Sequence, residues 1–147
     1  MHNLAVIIHV LSATVWTGGH IVLATTILPK VLKTNDVDKL LDFEMGYEKV
    51  GMPALIIQII TGLYLAYSYL PDITKWFSFS DHFSIHIGIK LILLFSTFAL
   101  ALNAKFRLIP KLKEGNNLKI FTGHIVAVTV ISVLFVITGL SFEMFLI

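Results

Sequence analysis

The chain has 147 residues, of which 56% are hydrophobic, a formal net charge of +2 and a mean hydropathy of +0.87. A chain this small has too little interior to bury so much apolar surface, which excludes a water-soluble domain and indicates one integral membrane domain over residues 1–147. The charge gives no reason to expect a nucleic acid partner. The absence of cysteine excludes disulfides, iron–sulfur clusters and thiolate metal sites.

Four apolar runs are each long enough to cross a bilayer as a helix. We expect helices at about residues 4–28, 52–70, 83–102 and 120–146. The runs do not alternate with period two, which argues against a barrel, and helices then remain the way to satisfy the backbone in lipid. The predicted fold is all-α, an integral membrane four-helix bundle, with no internal repeat evident from the residues.

The connections between the runs differ in charge. Nine Lys and Arg residues lie in the first and third connections, and only Lys75 lies on the opposite side. Since cytoplasmic loops are rich in Lys and Arg, both termini are predicted on the outer, periplasmic side of a bacterial inner membrane. Pro29 and Pro110 follow the predicted ends of helices 1 and 3, where a stop is expected. Residues 36–49 are predicted as either a short amphipathic surface helix or a polar loop.

Helix 1 carries two histidines on one face. His9 and His20 are eleven residues apart, so at about 100° per residue both rings leave the same side, roughly 16 Å apart along the axis. Trp16 lies on nearly the same stripe, and Gly18 and Gly19 allow a flat group or another backbone to approach. The residues before the run lack the basic region of a signal peptide, so we expect helix 1 to be retained.

The predicted topology sorts four intramembrane histidines by depth. His9 and His86 lie near the outer ends of helices 1 and 3, while His20 and His124 lie toward the inner side. Polar groups inside a membrane usually face a bundle interior, a cofactor or a pathway. Each histidine alone is also compatible with a structural or interfacial role. The two matched depths favour ligation of a cofactor or metal by at least one pair.

Lys90 is the only Lys or Arg inside an apolar run, and it lies one turn beyond His86 on the same face of helix 3. Such a lysine must extend outward to water, pair with an acid or meet an anionic ligand. Glu143 and a haem propionate are the two partners suggested by its depth.

Two helices resemble those of the copper resistance protein D family. The matching residues of helix 1 are His9, Trp16, Gly18-Gly19 and Leu28-Pro29. The matching residues of helix 3 are Gly88-Ile-Lys90-Leu91, Asn103 and Leu108-Ile-Pro110. The resemblance covers about two thirds of the chain.

The His-to-Trp spacing of helix 1 and the Lys-Leu pair of helix 3 also resemble the four-helix membrane protoporphyrinogen oxidases. The chain departs from that family because the proline after helix 1 falls several residues late and the Asn-Glu-x-Pro element of the last helix is absent. Both resemblances imply a four-helix membrane unit that handles copper or haem, with His9, Trp16 and Lys90 at matching positions. Neither covers His20 or His124, which are the residues that would make a second site.

Four functions are considered. The first is a b-type cytochrome with one or two haem b groups, because neutral imidazoles from facing helices suit haem iron. Helices 1 and 3 are diagonal in an up-down bundle and suit a haem better than the neighbouring helices 1 and 4. The second is copper transport or resistance, for which imidazole and thioether ligands are suitable although the methionines do not cluster. The third is a haem-containing protoporphyrinogen oxidase in which Lys90 holds a substrate carboxylate, and the fourth is a structural scaffold.

Electron transfer through haem b is the preferred prediction, and enzymatic activity is left open. The predicted ligands are His9 and His86 first, and His20 and His124 second. The other predicted cofactor-binding residues are Lys90, Trp16 and Gly19. The predicted partners are the lipid bilayer, a quinone or a membrane or periplasmic redox protein, and a second copy of the chain.

Overall fold

A computed structural model describes residues 1–114 and 117–146, which form four long helices. These are α1 (His2–Thr34), α2 (Val37–Tyr69), α3 (His82–Lys113) and α4 (Leu118–Leu146). All four are long and apolar enough to cross a membrane, which agrees with the predicted all-α bundle. At about 1.5 Å per residue the 33 residues of α2 extend roughly 50 Å, well beyond a hydrocarbon core of about 30 Å.

The helices are longer than the apolar runs that predicted them. The largest difference is in α2, which begins at Val37 rather than near residue 52, so residues 37–49 form neither a separate surface helix nor a loop. The Asp36 side chain caps this start by accepting from the Lys39 backbone N–H at 3.2 Å. Helix α3 likewise continues to Lys113 instead of ending near residue 102.

Pro29 and Pro110 lie inside α1 and α3, so their prediction as helix stops is wrong. Five residues just before each proline form a π-helical turn, Leu23–Ile27 in α1 and Ala104–Leu108 in α3. The backbone N–H that closes each turn donates to a carbonyl five residues back. In a regular α-helix a proline ring collides with the carbonyl four residues before it, and the wider turn relieves that collision. Each helix therefore continues past its proline.

The two halves of the chain repeat one another at a constant offset of 81 residues, although few residues are identical at that offset. Corresponding positions are Leu23 and Ala104, where the π-turns begin, the prolines Pro29 and Pro110, and the helix starts Val37 and Leu118. Two pairs of core side chains also correspond, namely Val31 with Leu112 and Leu40 with Phe121, all at most 1% exposed. The chain thus consists of two helical hairpins that share the same order of structural features.

The four helices pack as an up-down bundle with both chain ends at the same end. Helix α1 packs chiefly against α2 and also against α4, α3 packs chiefly against α4, and contacts between α2 and α3 are sparser. Helices α1 and α3 are therefore diagonal, as predicted. We call the end that holds His2 and Tyr69 the terminal end, and the end that holds Lys30 and Lys111 the basic end.

Three apolar clusters follow one another along the bundle axis. The largest fills the basic end around Leu23, Val31 and Phe121, the second lies in the middle around Trp16, and the third lies at the terminal end around Trp76. Many large apolar side chains elsewhere on the helices are exposed, in keeping with a lipid environment. The clusters leave two cavities between them, and these contain the predicted site residues.

Candidate functional site

A cavity of about 580 Å³ occupies the terminal half of the bundle. Its walls come from all four helices, and its volume is within the range of ligand pockets, about 300–1,000 Å³. Three predicted site residues line it, together with the acid suggested as a partner for the lysine. They are His9, His86, Lys90 and Glu143.

His9 is buried, with 7% of its surface exposed, and one of its ring nitrogens is already engaged. Its Nδ1 lies 2.8 Å from the Thr61 hydroxyl, which itself donates to the Ile57 carbonyl at 2.7 Å. Because that hydroxyl hydrogen is used, the Thr61 oxygen accepts from Nδ1–H, and His9 Nε2 keeps its lone pair for a ligand. Gly62 lies against the ring, where an added Cβ would come within 3.1 Å of Cε1.

His86 has the same kind of anchor on the diagonal helix. Its Nδ1–H donates to the His82 carbonyl at 2.9 Å, which leaves Nε2 as the ligating nitrogen. The ring is tilted against the His82 ring at 4.3 Å between ring centres and packs edge-on with the Phe142 ring at 5.6 Å. At the offset of 81 residues the counterpart of His9 is Lys90, so His86 lies one turn, or about 6 Å, nearer the terminal end than His9.

Lys90 extends into the same cavity. Its Nζ lies 5.1 Å from the centre of the Phe135 ring, and the His9 ring lies 6.0 Å from that phenylalanine, which places the two polar groups at one depth. In the described ranges no carboxylate lies within ion-pair distance of Nζ. Glu143 lines the cavity, but its carboxylate does not lie within ion-pair distance of Nζ, so the suggested ion pair is not formed as a direct contact. An amine here is available to an anionic group in the cavity.

A second cavity, of about 50 Å³, lies toward the basic end. His20 and His124 both line it. His20 donates from Nδ1 to the Trp16 carbonyl at 2.8 Å, and His124 donates from Nε2 to the Leu100 carbonyl at 2.5 Å. Each ring keeps one lone pair, but the volume between them suits one or a few water molecules rather than a macrocycle.

Tyr47 explains why the second cavity is small. Its ring stands against Gly19 and Gly51, where an added Cβ would overlap it, and its hydroxyl donates to the Trp16 carbonyl at 2.8 Å. The close approach predicted at Gly19 is thus made by a tyrosine of α2. The Trp16 ring contacts the His20 ring in a tilted arrangement at 4.4 Å between ring centres, and Trp16 lines this cavity, not the large one.

The mouth of the small cavity carries three charged residues. Glu44 and Glu48 lie one turn apart on α2, and Lys105 lies in the π-turn of α3. Lys105 Nζ and Glu48 Oε1 form an ion pair at 2.7 Å between these two helices. Within the part of the chain that the structure describes, no group of three or more His, Cys, Asp or Glu is arranged to hold a metal ion.

Several polar contacts of the site were missed by sequence reasoning. The sequence patterns do not single out Thr61, Tyr47, Thr97 or Gln58. Their common signal is a polar residue within an apolar stretch of helix, which is weak because such residues often bond only to their own backbone. Which of these polar side chains contacts a histidine depends on the rotation of each helix about its own axis.

No protein-family model, no curated protein sequence and no solved structure matches this chain. Its function is therefore argued from the two cavities and the residues that line them.

Proposed function

We propose that the protein is a membrane b-type cytochrome that would bind one haem b in the large cavity, with His9 and His86 as the residues that hold its iron. The supporting observation is that both histidines line a cavity of about 580 Å³ from diagonal helices, each with its Nδ1–H already engaged. Such a hydrogen bond fixes the tautomer and orients Nε2 toward a metal.

Lys90 is assigned to a haem propionate. Its Nζ lies in the cavity over Phe135, without a carboxylate partner among the described residues. A cation that has left bulk water gains most from an anion bound beside it. The small cavity, lined by His20 and His124, lacks the space for a second macrocycle, which is why the proposal is limited to one haem.

When bound, the haem would supply one-electron chemistry, and the chain would hold and insulate it. The proposed setting is a bacterial inner membrane with the terminal end outside, where a quinone or a redox protein exchanges electrons with the cofactor. The proposal also includes a dimer, in which two copies of the chain contact one another through exposed apolar faces of their helices.

A porphyrin oxidase is the second candidate. Lys90, which has no carboxylate of the described residues within ion-pair distance, is equally suited in a cavity of this size to the carboxylate of a porphyrinogen. Copper handling has less support, because no cluster of metal-ligating residues occurs in residues 1–114 and 117–146.

The test is an optical spectrum of the detergent-purified protein, oxidised and reduced, with haem and copper measured on the same sample. We expect a Soret band, sharp reduced α and β bands and one haem per chain. His9→Ala and His86→Ala should each abolish this low-spin spectrum or convert it to a high-spin spectrum. The matched change His124→Ala should preserve the low-spin spectrum.

Haem that survives both substitutions would refute the ligand assignment, and a colourless protein would refute the cytochrome. Oxidation of protoporphyrinogen by the purified protein would show that the second candidate function, the porphyrin oxidase, is correct.

A further inference from the structure

A layer separates the two cavities, and it is about 10 Å thick on α3 and α4 but only about 3 Å on α1, where Thr14 lines the large cavity and Trp16 the small one. On α3 the large cavity ends at Leu94 and the small one begins at Ala101, and on α4 the corresponding residues are Phe135 and Val128. Both pairs are seven residues apart, which is about 10 Å of helix. A short stretch of protein thus divides the large cavity, which contains His9 and His86, from the small cavity, which contains His20 and His124.

Each helix contributes a buried polar side chain at this layer. Four of them, Trp16, Gln58, Thr97 and Ser132, are 3–5% exposed, and Thr17 on α1 is 9% exposed. Three of them have a buried polar atom without a hydrogen-bond partner in the described part of the chain, namely Trp16 Nε1, Gln58 Oε1 and Thr97 Oγ1. Ser132 donates to the Val128 carbonyl at 2.7 Å, which leaves its oxygen free to accept.

Three unsatisfied polar atoms in one layer require an explanation. Burying a donor or acceptor without a partner costs free energy, and an ordered water is the usual partner in such cases. The rest of the layer is apolar, with Leu55, Leu94 and Phe135 packed around Trp16. Apolar constrictions of this kind admit water in single file and can exclude it again.

We propose that water bound in this layer connects the two cavities and that the bundle conducts protons between its ends. A chain of two or three waters, each hydrogen-bonded to a side chain of the layer, spans the distance of about 10 Å. In each step a proton passes along one hydrogen bond to an acceptor, and that acceptor releases a different proton to the next group. No bond between heavy atoms changes, and no oxidant or reductant is consumed.

At the basic end the entrance is the mouth of the small cavity. The Glu48–Lys105 ion pair there is partly exposed, and Glu44 lies one turn further along α2. His20 and His124 each present an unused ring nitrogen to the same cavity. Carboxylates and imidazoles in series are the groups that relay protons in membranes.

At the terminal end the acceptor is the large cavity. Lys90 lines this cavity at the depth of His9, whose Nε2 is assigned to haem in the proposal above. The cavity continues to His2 and the exposed Glu143 at the terminal end of the bundle, which gives protons an exit. The part of the route in the layer and in the small cavity uses residues of the chain alone.

The test is proton flux into vesicles that contain the purified full-length protein and a pH-sensitive dye. A potassium gradient with valinomycin sets the membrane potential, and protein-free vesicles provide the background. We expect wild-type flux above that background. Thr97→Val and Gln58→Leu should each reduce it about tenfold, the effect of losing one hydrogen bond to water.

The controls separate the layer from general damage. Thr138→Val makes the same change at a threonine that borders neither cavity and bonds the Leu134 carbonyl, and should leave flux unchanged. Thr97→Ser keeps the hydroxyl and should restore flux. Circular dichroism and gel filtration on each sample show whether a variant has lost its fold, and haem content shows whether it has lost the cofactor. A variant that passes these tests and still has reduced flux has lost the proton route.

Wild-type flux equal to that of empty vesicles would overturn the proposal. So would wild-type flux that survives both Thr97→Val and Gln58→Leu, because the protons would then take another route.

Discussion

The Thr61 hydroxyl holds the His9 ring by accepting from Nδ1–H while donating to its own helix. Thr61→Val preserves the shape of the side chain but removes that acceptor. If His9 ligates haem, loss of such a supporting hydrogen bond should weaken haem binding by about 10- to 100-fold. Titration of haem into the cofactor-free protein measures this directly.

Thr61→Ser retains the acceptor and should bind haem like the wild type. Equal affinity of Thr61→Val and wild type would show that His9 is not a ligand held in this manner.

Gly19 and Gly18 are neighbours in sequence with opposite surroundings. A Cβ at Gly19 would overlap the Tyr47 ring, whereas a Cβ at Gly18 would meet no atom within 4 Å. Gly19→Ala should therefore destabilise the bundle by about 1–3 kcal/mol, the usual cost of overfilling a core. Gly18→Ala should be neutral or stabilising by up to about 1 kcal/mol, because alanine is the better helix former.

Unfolding midpoints in detergent compare the two variants under one condition. A more stable Gly19→Ala protein would mean that Tyr47 does not pack on this face of α1.

At the scale of the element, the start of α3 is held by a reciprocal pair of hydrogen bonds between Asp81 and Ser84, in which the Ser84 hydroxyl oxygen accepts from the Asp81 backbone N–H at 3.1 Å. Asp81 accepts from the Ser84 backbone N–H at 2.7 Å, and hydrogen bonds from that N–H and the Ser84 hydroxyl lower the pKa of the Asp81 carboxyl. A carboxyl with a lowered pKa stabilises the fold above its unfolded value of about 3.9, and this contribution is lost as the pH falls through the lower folded value.

Asp81→Asn keeps an acceptor at the helix start and removes the charge, while Asp81→Ala removes both. We expect Asp81→Ala to lower the unfolding midpoint at pH 7 more than Asp81→Asn. Below pH 4 the difference between wild type and Asp81→Asn should shrink. An unchanged difference across this range would exclude the carboxylate as the cap.

The apolar runs predicted which helices exist but not where they end. Hydropathy reports the part of a helix that lies in lipid, and α2 continues to Val37 because its first turns pack on the basic end through Leu40 and Leu41. The error at Pro29 has a different cause, since a π-turn is a backbone arrangement without a residue signature of its own.

The candidate site was predicted in part. Depth in the membrane follows from counting along helices, and His9 and His86 do line one cavity while His20 and His124 line another. The sizes of these cavities could not be predicted, because the rotation of α2 decides that Tyr47 fills the space beside Gly19.

For the whole molecule, the orientation in the membrane is the first prediction to test. The chain has no cysteine, so single cysteines can be introduced without removing others. If the basic end faces the cytoplasm, Ser78→Cys should react with a membrane-impermeant maleimide in intact cells. Asn35→Cys, in the connection at the other end, should react only after the cells are opened.

The reverse labelling pattern would place the basic end outside. Labelling of both cysteines in intact cells would contradict a fixed orientation.

The offset of 81 residues that relates the two hairpins has a consequence for how such a site could arise. Two copies of one hairpin, related by a two-fold axis along the bundle, would form the same arrangement of four helices. In such a dimer each position of one copy would have the identical residue at the equivalent position of the other copy. Joining the two hairpins in a single gene removes that constraint. An imidazole at position 9 can then oppose an amine at position 90, an asymmetry that no homodimer of identical hairpins can encode.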